Sequence, residues 1–225
     1  RYLKANLDTL GVDGAQVSHV WCQHRSIAEH VAAASHIQTV VDHPEDMIGD
    51  VDAVLLARDD PENHVAMARP FIDSDVPIFI DHPLAFRWED LDYFASQVRD
   101  GKLILSSSAL RYSGGVQTAR AELATLGKIR LAVAVGKKDL RKYAVHYLEG
   151  MFSLLGDPPA RNVQHVSGSS GEDILYIEFE NGTLATVHVF ADIAPSGELN
   201  VYGEHGALEV NYGGAYTAFR NQLGE

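Results

Sequence analysis

The chain has 225 residues, of which 46% are hydrophobic and 22% charged, and its formal net charge is −13. Nucleic acid and anionic membrane surfaces both repel so acidic a chain, so neither is an expected partner. The single cysteine, Cys22, excludes an internal disulfide and fits a cytoplasmic, reducing setting; no apolar run approaches the ~20 residues that span a bilayer.

Residues 2–10 carry helical spacing that stops before Gly11. Residues 16–22 (QVSHVWC) read as a strand, and residues 26–34 as a helix with Ser26 as its N-cap. Residues 52–57 (DAVLLA) and 76–80 (VPIFI) are almost wholly apolar, as buried parallel strands are. A helix is predicted over 61–73 and another over 88–101, followed by a strand at 103–107. This alternation predicts parallel strands joined by right-handed crossovers.

The second half has another rhythm. Residues 127–136 read as a strand. Residues 140–155 carry helical spacing, ended by Gly156 with Pro158 and Pro159. Four to six strands follow. Residues 174–180 and 183–190 read as a hairpin whose Asn181-Gly182 supplies a type I′ turn. Residues 198–202 and 207–211 read as a second hairpin around Glu204-His205-Gly206. The predicted fold is a Rossmann-like parallel α/β domain over residues 1–108, lacking its first strand. An α+β domain with a mostly antiparallel open sheet follows over 109–225. A doubly wound sheet begins with a central strand and a Gly-rich phosphate turn, whereas this chain opens in the helix that would follow them, so a longer natural chain is expected.

Three loops at the carboxyl ends of the predicted parallel strands carry chemistry. The first runs Cys22-Gln23-His24-Arg25-Ser26 and lacks the carboxylate that usually meets the adenosine ribose. Arg25 and Ser26, with His24 nearby, suit a 2′-phosphate, which favours NADP over NAD. The alternative is an exposed arginine beside a helix cap. The second loop leaves Ala57 and runs Arg58-Asp59-Asp60-Pro61-Glu62-Asn63-His64. It offers Ala57, Arg58, Pro61 and His64 as cofactor contacts, although a lone histidine early in a helix more often packs or caps. The third is Asp81-His82-Pro83-Leu84-Ala85. Ser106, Ser107 and Ser108 either line the ligand face or simply end a strand. The remaining histidines show no metal-ligand spacing, so no dedicated metal site is expected, and neither a Gly-x-Ser-x-Gly elbow nor a Walker loop is present.

Four of these segments, in this order, resemble the Gfo/Idh/MocA oxidoreductases. They are the strand-loop-His stretch at 52–64, Asp81-His82-Pro83 where the family has Glu-Lys-Pro, Arg111-Tyr112, and Lys142-Tyr143-Ala144-Val145-His146-Tyr147-Leu148-Glu149, which is similar to the family's Asp-x-Gly-x-His-x-x-Asp. The resemblance implies an enzyme that moves hydride between a nicotinamide and a sugar, polyol or related hydroxyl or carbonyl compound. It also implies a homodimer or homotetramer formed through the antiparallel sheet. The family's catalytic histidine falls on His146, its lysine on His82 and its aspartate on Lys142. His82 and Lys142 are therefore expected to give His146 electrostatic support, with Arg111, Tyr112 and Tyr143 as substrate contacts. Lys142 lies four residues before His146, on the same helical face, so the charge missing at 82 is expected to have moved there. The alternative is a scaffold of the same build that binds a dinucleotide or small ligand without turnover.

Overall fold

The computed structural model describes residues 14–169, 171–194 and 198–212; the helix predicted over 2–10 lies outside them. The chain divides into two compact units, one ending at Ser106 and the other beginning at Ser107.

In the first unit, β1 (His19–Val20), α1 (Arg25–Ser35) and β2 (Thr39–Val40) form a small crossover whose two strands pair in parallel. Then come β3 (Val54–Leu56), a 3₁₀ turn (Pro61–Asn63) running into α2 (His64–Asp73), β4 (Ile78–Ile80), α3 (Trp88–Arg99) and β5 (Ile104–Leu105). The order β3-β4-β5 is parallel throughout, with Leu55 opposite Phe79 and Phe79 opposite Leu105. Alternation along the strands sends Leu56, Ile78 and Ile80 inward, where they form a core with Ala68, Phe71 and Ile72 of α2 and Phe94 of α3. Leu55 and Leu105 point to the opposite, exposed face.

The second unit opens with a 3₁₀ turn (Ala109–Tyr112), α4 (Gly114–Glu122) and a further 3₁₀ turn (Leu123–Leu126). It continues with β6 (Ile129–Lys137), α5 (Leu140–Leu155), β7 (Ala160–Ser167), β8 (Glu172–Phe179), β9 (Leu184–Phe190), β10 (Glu198–Gly203) and β11 (Ala207–Asn211). The six strands lie in the order β11-β10-β6-β9-β8-β7, antiparallel except where β6 meets β9. α5 contributes Ala144, Tyr147, Met151 and Leu154 to the core that also holds Ala132, Ala134, Phe179, Val187 and Val189. A side chain at Gly136 would enter the Tyr147 ring, its Cβ coming within 1.9 Å, so only glycine on β6 lets α5 seat that tyrosine. Asp139 caps α5 by accepting the Lys142 N–H, and Gly156 closes it in the left-handed conformation at φ +81°.

Two local expectations are corrected. Ser26 is not the N-cap of α1; the helix already includes Arg25, and His24 holds the cap position with an extended backbone. Asn181-Gly182 does not make a two-residue type I′ turn, since of the two only Gly182 has positive φ. The Gly182 N–H bonds back to the Phe179 carbonyl and the Phe179 N–H to that of Thr183, so Glu180 and Asn181 form the corner and left-handed Gly182 the bulge that follows. The Asn181 side chain accepts the Thr183 N–H, which stabilises this form.

No helix among the described residues is long and apolar enough to cross a membrane.

Candidate functional site

In the first unit, the loops leaving β1, β3 and β4 line a pocket of about 360 Å³ built from Cys22, Gln23, His24, Ala57, Arg58, Asp59, Asp60 and Asp81. It lies at the carboxyl ends of parallel strands, where open α/β sheets place ligands. One wall is a preformed knot. Arg58 Nε donates to Asp60 Oδ1 at 2.6 Å, a second guanidinium nitrogen reaches Oδ2, and Asn63 Nδ2 donates to Oδ2 at 2.7 Å. The Arg58 guanidinium above all holds the Asp60 carboxyl well below the usual carboxylate range. The pocket is otherwise polar and acidic, with acceptors suited to ribose hydroxyls.

Of the residues expected to hold a cofactor, His24, Ala57, Arg58 and Asp81 meet in this pocket. Arg25 does not line it: its Nε donates to Glu29 at 3.0 Å and its Nη1 pairs with Asp42. Both partners are acceptors, so a phosphate would have to displace two carboxylates from the guanidinium. Ser26 is exposed in the first turn of α1 and does not line the pocket. Pro61 is buried at the start of the 3₁₀ turn.

His64 is fully buried and does not line the pocket. Its Nδ1 lies 3.0 Å from the Leu84 carbonyl and its Nε2 3.1 Å from the Arg58 carbonyl. Its imidazole thus bridges the loop after β3 to the loop after β4. His82, in that second loop, places Nδ1 2.9 Å from Asp81 Oδ1, and the peptide bond to Pro83 is cis.

In the second unit the candidate chemistry gathers on α5. His146 is half-buried, and its Nδ1 lies 2.9 Å from Oγ of fully buried Ser108. Tyr143, three residues earlier, tilts against the imidazole with ring centroids 5.7 Å apart. The Lys138 ammonium lies 3.9 Å from the centre of the Tyr143 ring and donates to its hydroxyl at 2.6 Å. That bond holds the Lys138 proton more tightly than usual. Lys142 is exposed on the first turn, and Tyr112 ends the 3₁₀ turn half-buried.

Arg111, expected as a substrate contact, is paired within the second unit. Its guanidinium bonds Asp157 at 2.6 Å and Glu149 at 3.4 Å, and its backbone carbonyl accepts the Ser153 hydroxyl. It clamps the 3₁₀ turn onto α5. Burial pushes the Glu149 carboxyl above its ordinary range, opposed by Arg111 and by the Ser108 backbone N–H. Lys138 was not legible as a site residue, since it looks like any strand-end lysine; of the three serines raised as possible lining of the ligand face, it is Ser108 that meets His146. Among the described residues no cluster of three or more histidine, cysteine or acidic side chains is arranged to hold a metal.

Residues 4–108 match the family model described as "Oxidoreductase family, NAD-binding Rossmann fold". A protein of Amycolatopsis mediterranei provisionally named a UDP-kanosamine synthase oxidoreductase subunit is 33% identical over 73 residues, a stretch that spans 32% of this chain and only 20% of that protein. Among solved structures, the myo-inositol dehydrogenase of Lactobacillus casei, in complex with NAD(H) and myo-inositol, superposes with a TM-score of 0.83 at 19% identity, covering 95% of this chain and 78% of that one. The myo-inositol 2-dehydrogenase of Lactobacillus plantarum gives 0.80 at 15%, covering 95% and 80%. The UDP-N-acetylglucosamine 3-dehydrogenase of Acidithiobacillus ferrooxidans gives 0.74 at 17%, covering 87% and 68%. At these identities the structural likenesses establish the fold.

Proposed function

We propose that this chain is an oxidoreductase of the Gfo/Idh/MocA family, as the match of residues 4–108 to the NAD-binding Rossmann model supports, and that it interconverts a hydroxyl and a carbonyl group on a sugar, polyol or nucleotide-linked sugar. The carrying observation is His146, a half-buried imidazole held at one nitrogen, with a tyrosine and a bound ammonium beside it. When bound, the nicotinamide takes or gives the hydride at the reacting carbon. The chain's own part is the proton: His146 accepts it from the hydroxyl in oxidation and returns it to the carbonyl oxygen in reduction. An imidazole suits this work because its ordinary pKa lies near neutral pH. Lys138, steadied on Tyr143, is the cation that favours negative charge on the substrate oxygen. His82 against Asp81 is a second proton-carrying group on the ligand side of the first unit.

The pocket in the first unit supports NAD rather than NADP. Arg25, the residue in the first loop suited to a 2′-phosphate, is held by Glu29 and Asp42, and the pocket presents Asp59, Asp60 and Asp81. Like charge there opposes a further phosphate. Fluorescence titration should show NADH binding at least tenfold tighter than NADPH, with Arg25→Ala leaving that ratio unchanged. Tighter NADPH binding, lost in the variant, would restore the phosphate role of Arg25.

His146→Ala should lower turnover by about 10²–10⁴-fold, the usual worth of a general acid–base, while NADH still binds. Unchanged turnover would remove His146 from the chemistry. A second reading, a dinucleotide-binding scaffold without turnover, is favoured by His82 and Lys142 standing where the resemblance puts lysine and aspartate. NADH binding with no redox change across a panel of polyols, sugars and nucleotide sugars would select it. We also propose a homodimer or homotetramer assembled through the six-stranded sheet, which light scattering of the purified protein tests directly.

A further inference from the structure

We infer that Ser108 is a positioning residue that fixes the tautomer of His146, an inference that rests on the acid–base role proposed for that histidine. Ser108 is fully buried. Its Oγ lies 2.9 Å from His146 Nδ1. The same Oγ accepts the Leu110 N–H at 3.3 Å as the cap of the 3₁₀ turn.

These contacts decide where the hydroxyl hydrogen goes. One lone pair is taken by Leu110, and a buried O–H needs an acceptor. His146 Nδ1 is the acceptor at hydrogen-bond distance, so the neutral ring carries its own hydrogen on Nε2. When the ring takes a second proton, at Nδ1, the hydroxyl rotates and accepts from it. A hydroxyl can support both states, whereas a methyl or a fixed acceptor cannot. Ser108 is held in place by full burial and by the cap bond from the Leu110 N–H to its Oγ. The consequence is a division of labour: Nδ1 stays on Ser108 in every state, and the doubly protonated ring gives its Nε2 proton to a carbonyl oxygen while its Nδ1 hydrogen remains on the Ser108 oxygen. In oxidation Nε2 takes the proton back from the hydroxyl when the ring hydrogen sits on Nδ1, and the neutral ring otherwise rests with its hydrogen on Nε2.

The test needs no substrate. Long-range ¹H–¹⁵N correlation spectra of histidine-labelled protein report the tautomer of each ring, and the His146 signals are identified by their loss in His146→Gln. The wild-type ring should be predominantly Nε2–H. Ser108→Ala should lower the ratio of Nε2–H to Nδ1–H by roughly fivefold, the equivalent of ~1 kcal/mol for one hydrogen bond. Ser108→Thr, which keeps the hydroxyl, should restore it. Ser113→Ala is the control: Ser113 is equally buried and caps α4 through Val116 N, so its loss perturbs the same unit and should leave the His146 ratio unchanged. A ring that is Nδ1–H in the wild type, or a ratio unmoved in Ser108→Ala, overturns the inference whatever the enzyme's activity. A shift of equal size in Ser113→Ala overturns it too, since the effect would then be general loosening. Failure of the acid–base reading shows separately, as unchanged turnover in His146→Ala.

Discussion

Replacing Arg111 with leucine should destabilise the second unit in a way that depends on pH, and Glu149 sets the sign. The two side chains are each 26% exposed and 3.4 Å apart. Burial is the largest influence on the Glu149 carboxyl and raises its pKa above the ordinary carboxylate value, while Arg111 pulls it down. A carboxyl with a raised folded pKa binds its proton more tightly folded than unfolded. Its contribution is therefore most favourable below the unfolded value and is lost as pH rises through the folded one. Removing the guanidinium raises the folded pKa further and widens that window upward. Breaking a fully buried pair costs about 3–5 kcal/mol; for this partly solvated one we expect about 2 kcal/mol at pH 8. The loss should shrink toward about 1 kcal/mol or less at pH 5.5, as Glu149 takes up a proton and only the exposed Asp157 contact is missed. Urea unfolding followed by far-ultraviolet circular dichroism gives the loss, and hydrogen exchange of the 140–155 peptides localises it. Glu149→Gln added to Arg111→Leu should recover most of the loss at pH 8, because no buried charge is left alone. An equal loss at both pH values, or no recovery in the double variant, would refute the argument.

Three further outcomes follow from the geometry. His64→Ala should cost about 2–5 kcal/mol, since it leaves a cavity and removes the donor to a part-buried loop carbonyl, and it should weaken NADH binding by the loosening of both loops; stability within 1 kcal/mol of wild type by denaturant titration would show that the bridge is dispensable. Gly115→Ala should lower the melting temperature measurably, because a Cβ there would lie 1.7 Å from the Asn211 carbonyl oxygen and force α4 away from β11; an unchanged melting curve would mean that the helix can shift at no cost. Lys138→Met should reduce kcat more than Lys142→Met does, by about tenfold or more if the ammonium on Tyr143 stabilises charge in the transition state; the reverse order would return that role to Lys142.

Hydrophobic spacing made much of the fold legible. The helix predicted over 140–155 is α5, because its apolar positions recur at helical intervals and Gly156 offers an unambiguous stop. Strands with one covered face or two were equally plain. What was missed lacked such a signal. β7 (ARNVQHVS) is exposed along its whole length, so no alternation marks it, and only pairing with β8 makes it a strand. α4 opens with Gly114-Gly115, which reads as a loop; Ser113 caps it, and the absence of side chains lets it lie against β11. β2 is two residues long and held by its crossover partner rather than by its own pattern.

The candidate site was legible as residue types and not as partnerships. Position 25 offered an arginine, but its occupation by Glu29 and by Asp42, 17 residues further on, is a product of the fold. Arg111 was equally visible, and its commitment to Glu149 and Asp157 equally hidden. The same reasoning bears on the displaced cation. Helical spacing puts Lys142 on the His146 face, on the exposed first turn of α5. Lys138 precedes the helix, and spacing says nothing about it. Its backbone has φ +81°, which turns the chain back over α5 and brings its side chain to the Tyr143 ring. A charge lost from a motif can therefore reappear on a residue that no motif contains. The Lys138 ammonium, held on the Tyr143 ring of the helix that carries the histidine, is the one we propose for that part, and the comparison of Lys138→Met with Lys142→Met decides it.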